Sequence, residues 1–226
     1  SKEAAEKITR WNPFDPLKAA PFFDPEVMFT IEKDKQGGYF DVVIGNPPYV
    51  LIDKKIYNKT YSLFYKYQEG KPDLYRVFIE NGIYLNKHKG TLSFITPNSL
   101  LTIPNAQKIR KFILENTNIK NILNFGDVVF ENVSMNNIVF VIQKIINKHN
   151  YIRVSNINDV SIFKEFNSIK QTDYLQNEKF ELDVFIDDNN KNLISKLLKL
   201  HTLSEIKNSV ARSEERRVGK ECRSRW

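Results

Sequence analysis

The chain has 226 residues, 41% of them hydrophobic, and a formal net charge of +7 at pH 7. That length gives one sizeable domain and part of another, and no apolar run reaches the roughly 18 residues of a membrane span. A single cysteine, Cys222, excludes a disulfide framework and thiolate metal sites, and the start carries no secretory pattern, so the cytoplasm is the default compartment.

Ser1 to Arg10 reads as the end of a helix, with Ala4, Ala5 and Ile8 on one side. Residues 11–30 are rich in proline and aromatics and are expected to pack on a sheet as an ordered loop, with Trp11 and Phe14 as packing residues. Gln36-Gly37-Gly38 is a turn. The apolar run Val42-Val43-Ile44 is short and β-branched, which predicts a strand buried on both faces, as in a parallel sheet.

Gly45 ends that strand, and Asn46-Pro47-Pro48-Tyr49 leaves no room for a helix. Each proline fixes φ and lacks an N–H, and Pro47 drives Asn46 out of the helical region. A polar amide is thus held on a stiff loop at the carboxyl end of a strand, the edge where ligands bind in open α/β sheets. The Asn46 side-chain oxygen and the Pro47 carbonyl are two acceptors suited to one planar amine, which offers two donors. Accepting both hydrogens draws the nitrogen lone pair out of conjugation and aims it at an electrophile. Tyr49 adds a flat face for stacking on a base. The chemistry reads as methyl transfer to an exocyclic amine.

Between Leu51 and Gly70, Lys54, Lys55, Lys59 and Lys66 interleave with Tyr57, Tyr61, Phe64, Tyr65 and Tyr67. Lysines can track phosphates and aromatics can stack on unpaired bases, so this segment is expected to face DNA and to become ordered on binding it. An amphipathic helix with solvated lysines is the alternative. Asp73 is placed to cap a helix in which Leu74, Val77, Phe78, Tyr84 and Leu85 recur at helical spacing. Lys87-His88-Lys89-Gly90 should turn the chain into a strand over 91–96, stopped by Pro97-Asn98. A helix is predicted over 104–116, with Lys108, Arg110 and Lys111 facing solvent. Strands follow at 119–125 and 138–145, with weaker ones at 151–154 and 180–186, and a helix at 189–200. His88, His149 and His201 are scattered, and no metal is expected. The order of elements fits an α/β fold.

The last fifteen residues, Arg212 to Trp226, resemble a translated sequencing-library adapter and are expected to be foreign to the protein. They hold six basic and three acidic residues. The remaining charge is uneven: residues 1–150 carry 20 basic and 15 acidic side chains, against 8 and 9 in 151–211. A modest basic excess in the first part is compatible with DNA.

Phe40-Asp41-Val42-Val43-Ile44-Gly45-Asn46-Pro47-Pro48-Tyr49-Val50 resembles motif IV of the S-adenosylmethionine-dependent DNA adenine-N6 methyltransferases. The runs Trp11–Pro16 and Phe22–Phe29 resemble the methylase portion of type IIG restriction–modification enzymes. The resemblance covers roughly residues 11–145. It implies the C-terminal half of a Rossmann-like class I methyltransferase sheet over 1–148, then a linker and the start of a target-recognition domain over 149–211, where Leu203-Ser204-Glu205-Ile206 resembles that domain's opening. It implies that Asn46 and Pro47 hold a flipped adenine, that Tyr49 stacks on it with Pro48 alongside, and that Phe130 packs on the opposite face. It also implies that Phe78, in a motif V-like run, lies by the cofactor adenine. The cofactor would be S-adenosyl-L-methionine and the partner double-stranded DNA. The family's Gly-rich cofactor loop and ribose-binding acid have no counterpart here. The chain is therefore expected to be inactive alone, needing the N-terminal half and target-recognition domain of the same polypeptide. Protein glutamine methyltransferases share Asn-Pro-Pro-Tyr, so that reading stays open, as does a catalytically dead DNA-binding fragment.

Overall fold

A computed structural model describes Glu6, Thr9 and residues 24–126, 136–157 and 167–184. Trp11, Phe14, Phe130, the 189–200 helix, residues 203–206 and the 212–226 tail lie outside the described residues. The described part is a mixed α/β sheet. A short helix α1 (Pro25–Phe29) precedes strand β1 (Phe40–Gly45), then the turns α2 (Lys54–Ile56) and a π-type turn over Tyr57–Tyr61. Helix α3 (Leu74–Leu85), strand β2 (Asn86–Pro97), helix α4 (Gln107–Asn116) and strands β3 (Asn118–Gly126) and β4 (Asn137–Gln143) follow. Strands β5 (Tyr151–Asn156) and β6 (Asn167–Lys170) and helix α5 (Gln171–Leu175) complete the order.

The six strands lie side by side as β1-β2-β4-β3-β5-β6. β1 and β2 run parallel, joined by α3, and β3 and β5 also run parallel. β4 is inserted antiparallel between β2 and β3. Described residues beyond 148 therefore continue the same sheet. Period-2 burial along β4 puts Ile138, Phe140 and Ile142 inward, against Leu92 and Phe94 of β2 and Ile109 and Ile113 of α4. Close packing of α3 on β2 relies on Gly82, where a Cβ would stand 2.2 Å from Leu92 Cδ1.

Several expectations change. β1 forms where predicted, but only Val43 packs on the core, while Val42 and Ile44 are 62% and 78% exposed. Among the described residues β1 pairs with β2 alone, and the face that carries Val42 and Ile44 is left uncovered, so the expected burial on both faces is not observed. The expected turn at 87–90 is instead an irregularity inside β2: Phe40 is opposite Asn86 and Val42 opposite Thr91, with Lys89 at φ 63. Asp73 stands at the N-cap of α3 but makes no capping bond. The buried face of α3 comprises Tyr75, Arg76, Val77, Ile79, Glu80 and Ile83, while Phe78 and Tyr84 are each 43% exposed. Apolar spacing alone missed this because the buried Arg76 and Glu80 have polar partners. Glu80 accepts the N–H of Lys66 at 2.8 Å and that of Tyr67 at 3.3 Å.

Arg110 is the largest reversal. Read as a solvated charge, it is fully buried and donates to the carbonyls of Leu100, Ile103, Lys179 and Phe180 at 2.7–3.1 Å. The expected strand at 180–186 is absent from its described part. Phe180 adopts φ 51, and its carbonyl and that of Lys179 accept from the Arg110 guanidinium.

Candidate active site

The sheet topology gathers one edge. β1 and β2, being parallel, end on the same side, with Gly45 opposite Phe94. β4 enters from that side, since Pro97 is opposite Asn137 and the Asn98 N–H donates to the Asn136 carbonyl at 2.9 Å. β3 ends there too, with Gly126 opposite Asn137. Asn46–Tyr49, Pro97–Ser99 and Asn136 therefore come from separate parts of the chain to a common edge.

The Asn46–Tyr49 loop is fixed at both ends. Asn46 follows the last paired residue of β1 and is exposed, and among the described residues no hydrogen bond to its side chain is found. Pro47 is buried and Pro48 exposed. The Tyr49 hydroxyl donates to the Ile95 carbonyl of β2 at 3.0 Å, and its ring meets Tyr75 edge-on at 6.1 Å. Burial pushes the Tyr49 phenol above its ordinary value, so it remains a donor at neutral pH. Beyond Tyr49, the chain pairs with the entry to α3: Leu74 N–H donates to the Val50 carbonyl and Ile52 N–H to the Pro72 carbonyl, both at 2.9 Å.

Tyr49 also borders a cavity of about 520 Å³ whose walls include Asp73, Tyr75, Asn98, Asn105 and Asn136. Asn46, Pro47 and Pro48 are not among its lining residues. Burial raises the Asp73 carboxyl, and its Oδ1 is a buried atom with no hydrogen-bond partner. Arg76 closes one side by donating to the carbonyls of Asn105 and Lys71. These wall residues come from separate elements, and nothing in their sequence spacing announces the cavity.

The remaining expected site residues are distributed as follows. Phe78 presents a partly exposed ring on α3, as does Tyr84. Lys54, Lys55 and Lys59 are exposed. Asp53 caps α2, accepting from Lys55 and Ile56 N–H groups at 2.8 and 3.2 Å. Lys66 is turned back, its Nζ donating to the carbonyls of Ser62 and Leu63 at 3.0 and 3.1 Å. Phe130 falls in the undescribed segment between Gly126 and Asn136, which both stand at the edge described above. Among the described residues there is no group of three or more His, Cys, Asp or Glu that could hold a metal, and no helix long and apolar enough to cross a membrane.

This α/β architecture is that of restriction–modification methyltransferases. It is similar to the type IIG restriction endonuclease BpuSI, with a TM-score of 0.52 and 20% identity over 74% of this chain and 23% of that one. It is also similar to a type I restriction–modification methyltransferase subunit from Streptococcus thermophilus, with a TM-score of 0.51 and 16% identity over 67% and 38%. Residues 2–130, more than half of the sequence, match the Eco57I restriction-modification methylase family, and the chain belongs to it. Among relatives, the type II restriction enzyme and methyltransferase RM.Eco57I of Escherichia coli is 29% identical over 175 residues, 70% of this chain and 17% of that protein. The type II methyltransferase M.HincII of Haemophilus influenzae is 32% identical over 131 residues, 54% of this chain and 24% of that protein. The chain thus spans a quarter or less of the length of these relatives.

Proposed function

We propose that the chain is the amine-binding part of a DNA adenine-N6 methyltransferase in a restriction–modification system. The Asn46–Tyr49 loop carries the reading: an exposed amide, a following carbonyl on a buried proline and a tyrosine pinned to the neighbouring strand. The target adenine leaves the base stack, as chemistry on a paired base requires. Tyr49 stacks on one face of it, with Pro48 alongside, and Phe130 closes the other. Asn46 Oδ1 and the Pro47 carbonyl accept the two amine hydrogens and turn the lone pair toward the methyl carbon. One N–C bond forms, the bond to the departing sulfur breaks, and one amine proton passes to solvent. No titratable base is required, and positioning supplies the main acceleration. S-adenosyl-L-methionine, when bound, supplies the electrophilic methyl group, and the exposed Phe78 ring would cover its adenine. Lys54, Lys55 and Lys59 would contact phosphates, while Lys66 must first release the Ser62 and Leu63 carbonyls. The family match favours DNA over a protein glutamine residue.

Asn46→Ala in the intact gene product tests this reading. Methyl transfer to plasmid DNA should be abolished with little loss of DNA affinity, and nucleoside mass spectrometry of the wild-type product should show N6-methyladenine. Wild-type-like turnover by Asn46→Ala would sink the assignment, and N4-methylcytosine as the product would move the substrate to another base.

A further inference from the structure

The segment after Tyr49 is richer in exposed apolar side chains than a solvated loop needs to be. Leu63 is 68% and Phe64 71% exposed, in the same segment as exposed Lys54, Lys55 and Lys59. The other aromatics there are occupied. Tyr57 is buried, donates to the Tyr65 carbonyl at 2.7 Å and lies parallel to Tyr61 at 6.4 Å. Tyr61 in turn meets Tyr65 at 6.4 Å, and Tyr67 stacks on Phe112 at 4.0 Å. Of the five aromatics from 57 to 67, Phe64 is the one left facing outward.

Its mount is stiff. Phe64 N–H donates to the Tyr61 carbonyl at 3.0 Å, Ser62 N–H to the Tyr57 carbonyl at 2.9 Å and Ser62 Oγ to the Asn58 carbonyl at 2.7 Å. Glu80 of α3 anchors the return of the chain by accepting the Lys66 and Tyr67 backbone N–H groups. The departure is anchored by the pairing of Val50–Ile52 with Pro72–Leu74. A hydrogen-bonded apolar tip thus projects from an excursion whose base adjoins Tyr49.

We propose that Leu63–Phe64 is an apolar wedge that enters the base stack of duplex DNA where a base has been displaced. This inference rests on the DNA reading above and names the contact that would hold the duplex open. Phenylalanine and leucine are among the side chains that wedge between base steps, and a displaced base leaves an apolar gap that such a tip fills. Charge selects this occupant over a second protein surface. The segment carries Lys54, Lys55 and Lys59, whose nearest acid in sequence, Asp53, is engaged as a helix cap, while Glu69 on the far side of the tip faces Lys108; the centres of protein interfaces are depleted in lysine.

The test compares intact duplex with the same duplex carrying one abasic site, by fluorescence polarisation with the intact gene product and no methyl donor. The wild type should prefer the abasic duplex by about tenfold, the scale of one base–aromatic stack. Phe64→Ser and the double variant Leu63→Ser/Phe64→Ser should erase that preference, and Phe64→Trp should keep it, which excludes misfolding as the cause. Lys54→Gln/Lys55→Gln/Lys59→Gln should weaken both duplexes alike. An unchanged abasic preference in the serine variants overturns the wedge. So does a serine variant that alters sedimentation but not DNA binding, which would assign the tip to a protein contact. Loss of the wedge with methyl transfer intact leaves the proposed function standing, whereas absence of both DNA binding and transfer in the wild type overturns both.

Discussion

Replacing Tyr49 by phenylalanine and by alanine separates the two jobs given to this residue. The hydroxyl makes one hydrogen bond, to the Ile95 carbonyl at 3.0 Å, and the ring keeps its edge-on contact with Tyr75 in the phenylalanine variant. Tyr49→Phe loses one half-buried hydrogen bond, about 1 kcal/mol of folding stability. Its ring still lies where a base would stack, so turnover should fall by no more than about fivefold, the equivalent of that energy expressed entirely in the transition state. Tyr49→Ala also removes the stacking face, worth about 1–3 kcal/mol, so kcat/KM should fall roughly a further 5- to 150-fold. The assay is tritium transfer from labelled methyl donor to plasmid DNA, alongside urea denaturation and 2-aminopurine fluorescence at the target position. A phenylalanine variant as impaired as the alanine variant would show that the hydroxyl, not the ring, carries the function. An alanine variant with normal turnover and an unchanged 2-aminopurine response would refute base stacking at this position.

Three further outcomes follow from the fold. Arg110→Met should cost about 3–5 kcal/mol in urea denaturation, because Leu100, Ile103, Lys179 and Phe180 lose one shared donor group; Arg110→Lys should restore only part, and a loss below about 1 kcal/mol for methionine would contradict the clamp. Gly82→Ala places a methyl against Leu92 Cδ1, so about 1–3 kcal/mol of overpacking outweighs the roughly 1 kcal/mol gain in helix propensity; a more stable alanine variant by thermal melting would show that Leu92 can yield. Burial raises the Glu80 carboxyl, so its stabilising contribution is full below the ordinary glutamate value of about 4.3 and is lost as pH rises through the raised folded value. Glu80→Gln should remove that falling limb from a plot of stability against pH, and superimposable profiles would argue against it.

The parts of this fold that could be read from sequence are those set by local rules. Apolar runs gave β1, β3 and β4 within about two residues but only the second half of β2, and two consecutive prolines fixed the Asn46–Tyr49 loop at a strand end. What sequence could not supply was the identity of neighbours. Arg110 was assigned to solvent because charge predicts exposure, yet two of its acceptors lie 69 and 70 residues away. The apolar run of β1 predicted cover on both faces, which depends on what packs against the sheet and not on the strand itself. Tyr57, Tyr61, Tyr65 and Tyr67 looked like interchangeable stacking groups until their own contacts consumed them. The candidate site shows the same division. Its loop is a local motif, while Asn98 and Asn136 meet beside Tyr49 because β4 pairs with β2, and Asp73 joins them through the pairing of Leu51 with the entry to α3.

That division has a consequence for how the loop can work. The Asn46 backbone follows directly from the paired Gly45, the next two φ angles are set by proline rings, and Tyr49 is tied to β2 by its hydroxyl. Val50 to Ile52 are then held against the approach to α3. The carbonyl of Pro47 therefore occupies a position set by two strands and a helix before any substrate arrives. The remaining freedom belongs to the Asn46 side chain, whose ordering costs on the order of 1 kcal/mol or less. A planar amine meeting these two acceptors encounters one fixed and one nearly fixed, so the binding free energy of the rest of a substrate need not be spent on assembling them. If Asn46 and Pro47 hold the amine as proposed, an acceptor pair held this way would favour the pyramidal amine of the transition state over the conjugated amine of the ground state, which is the differential interaction that methyl transfer requires.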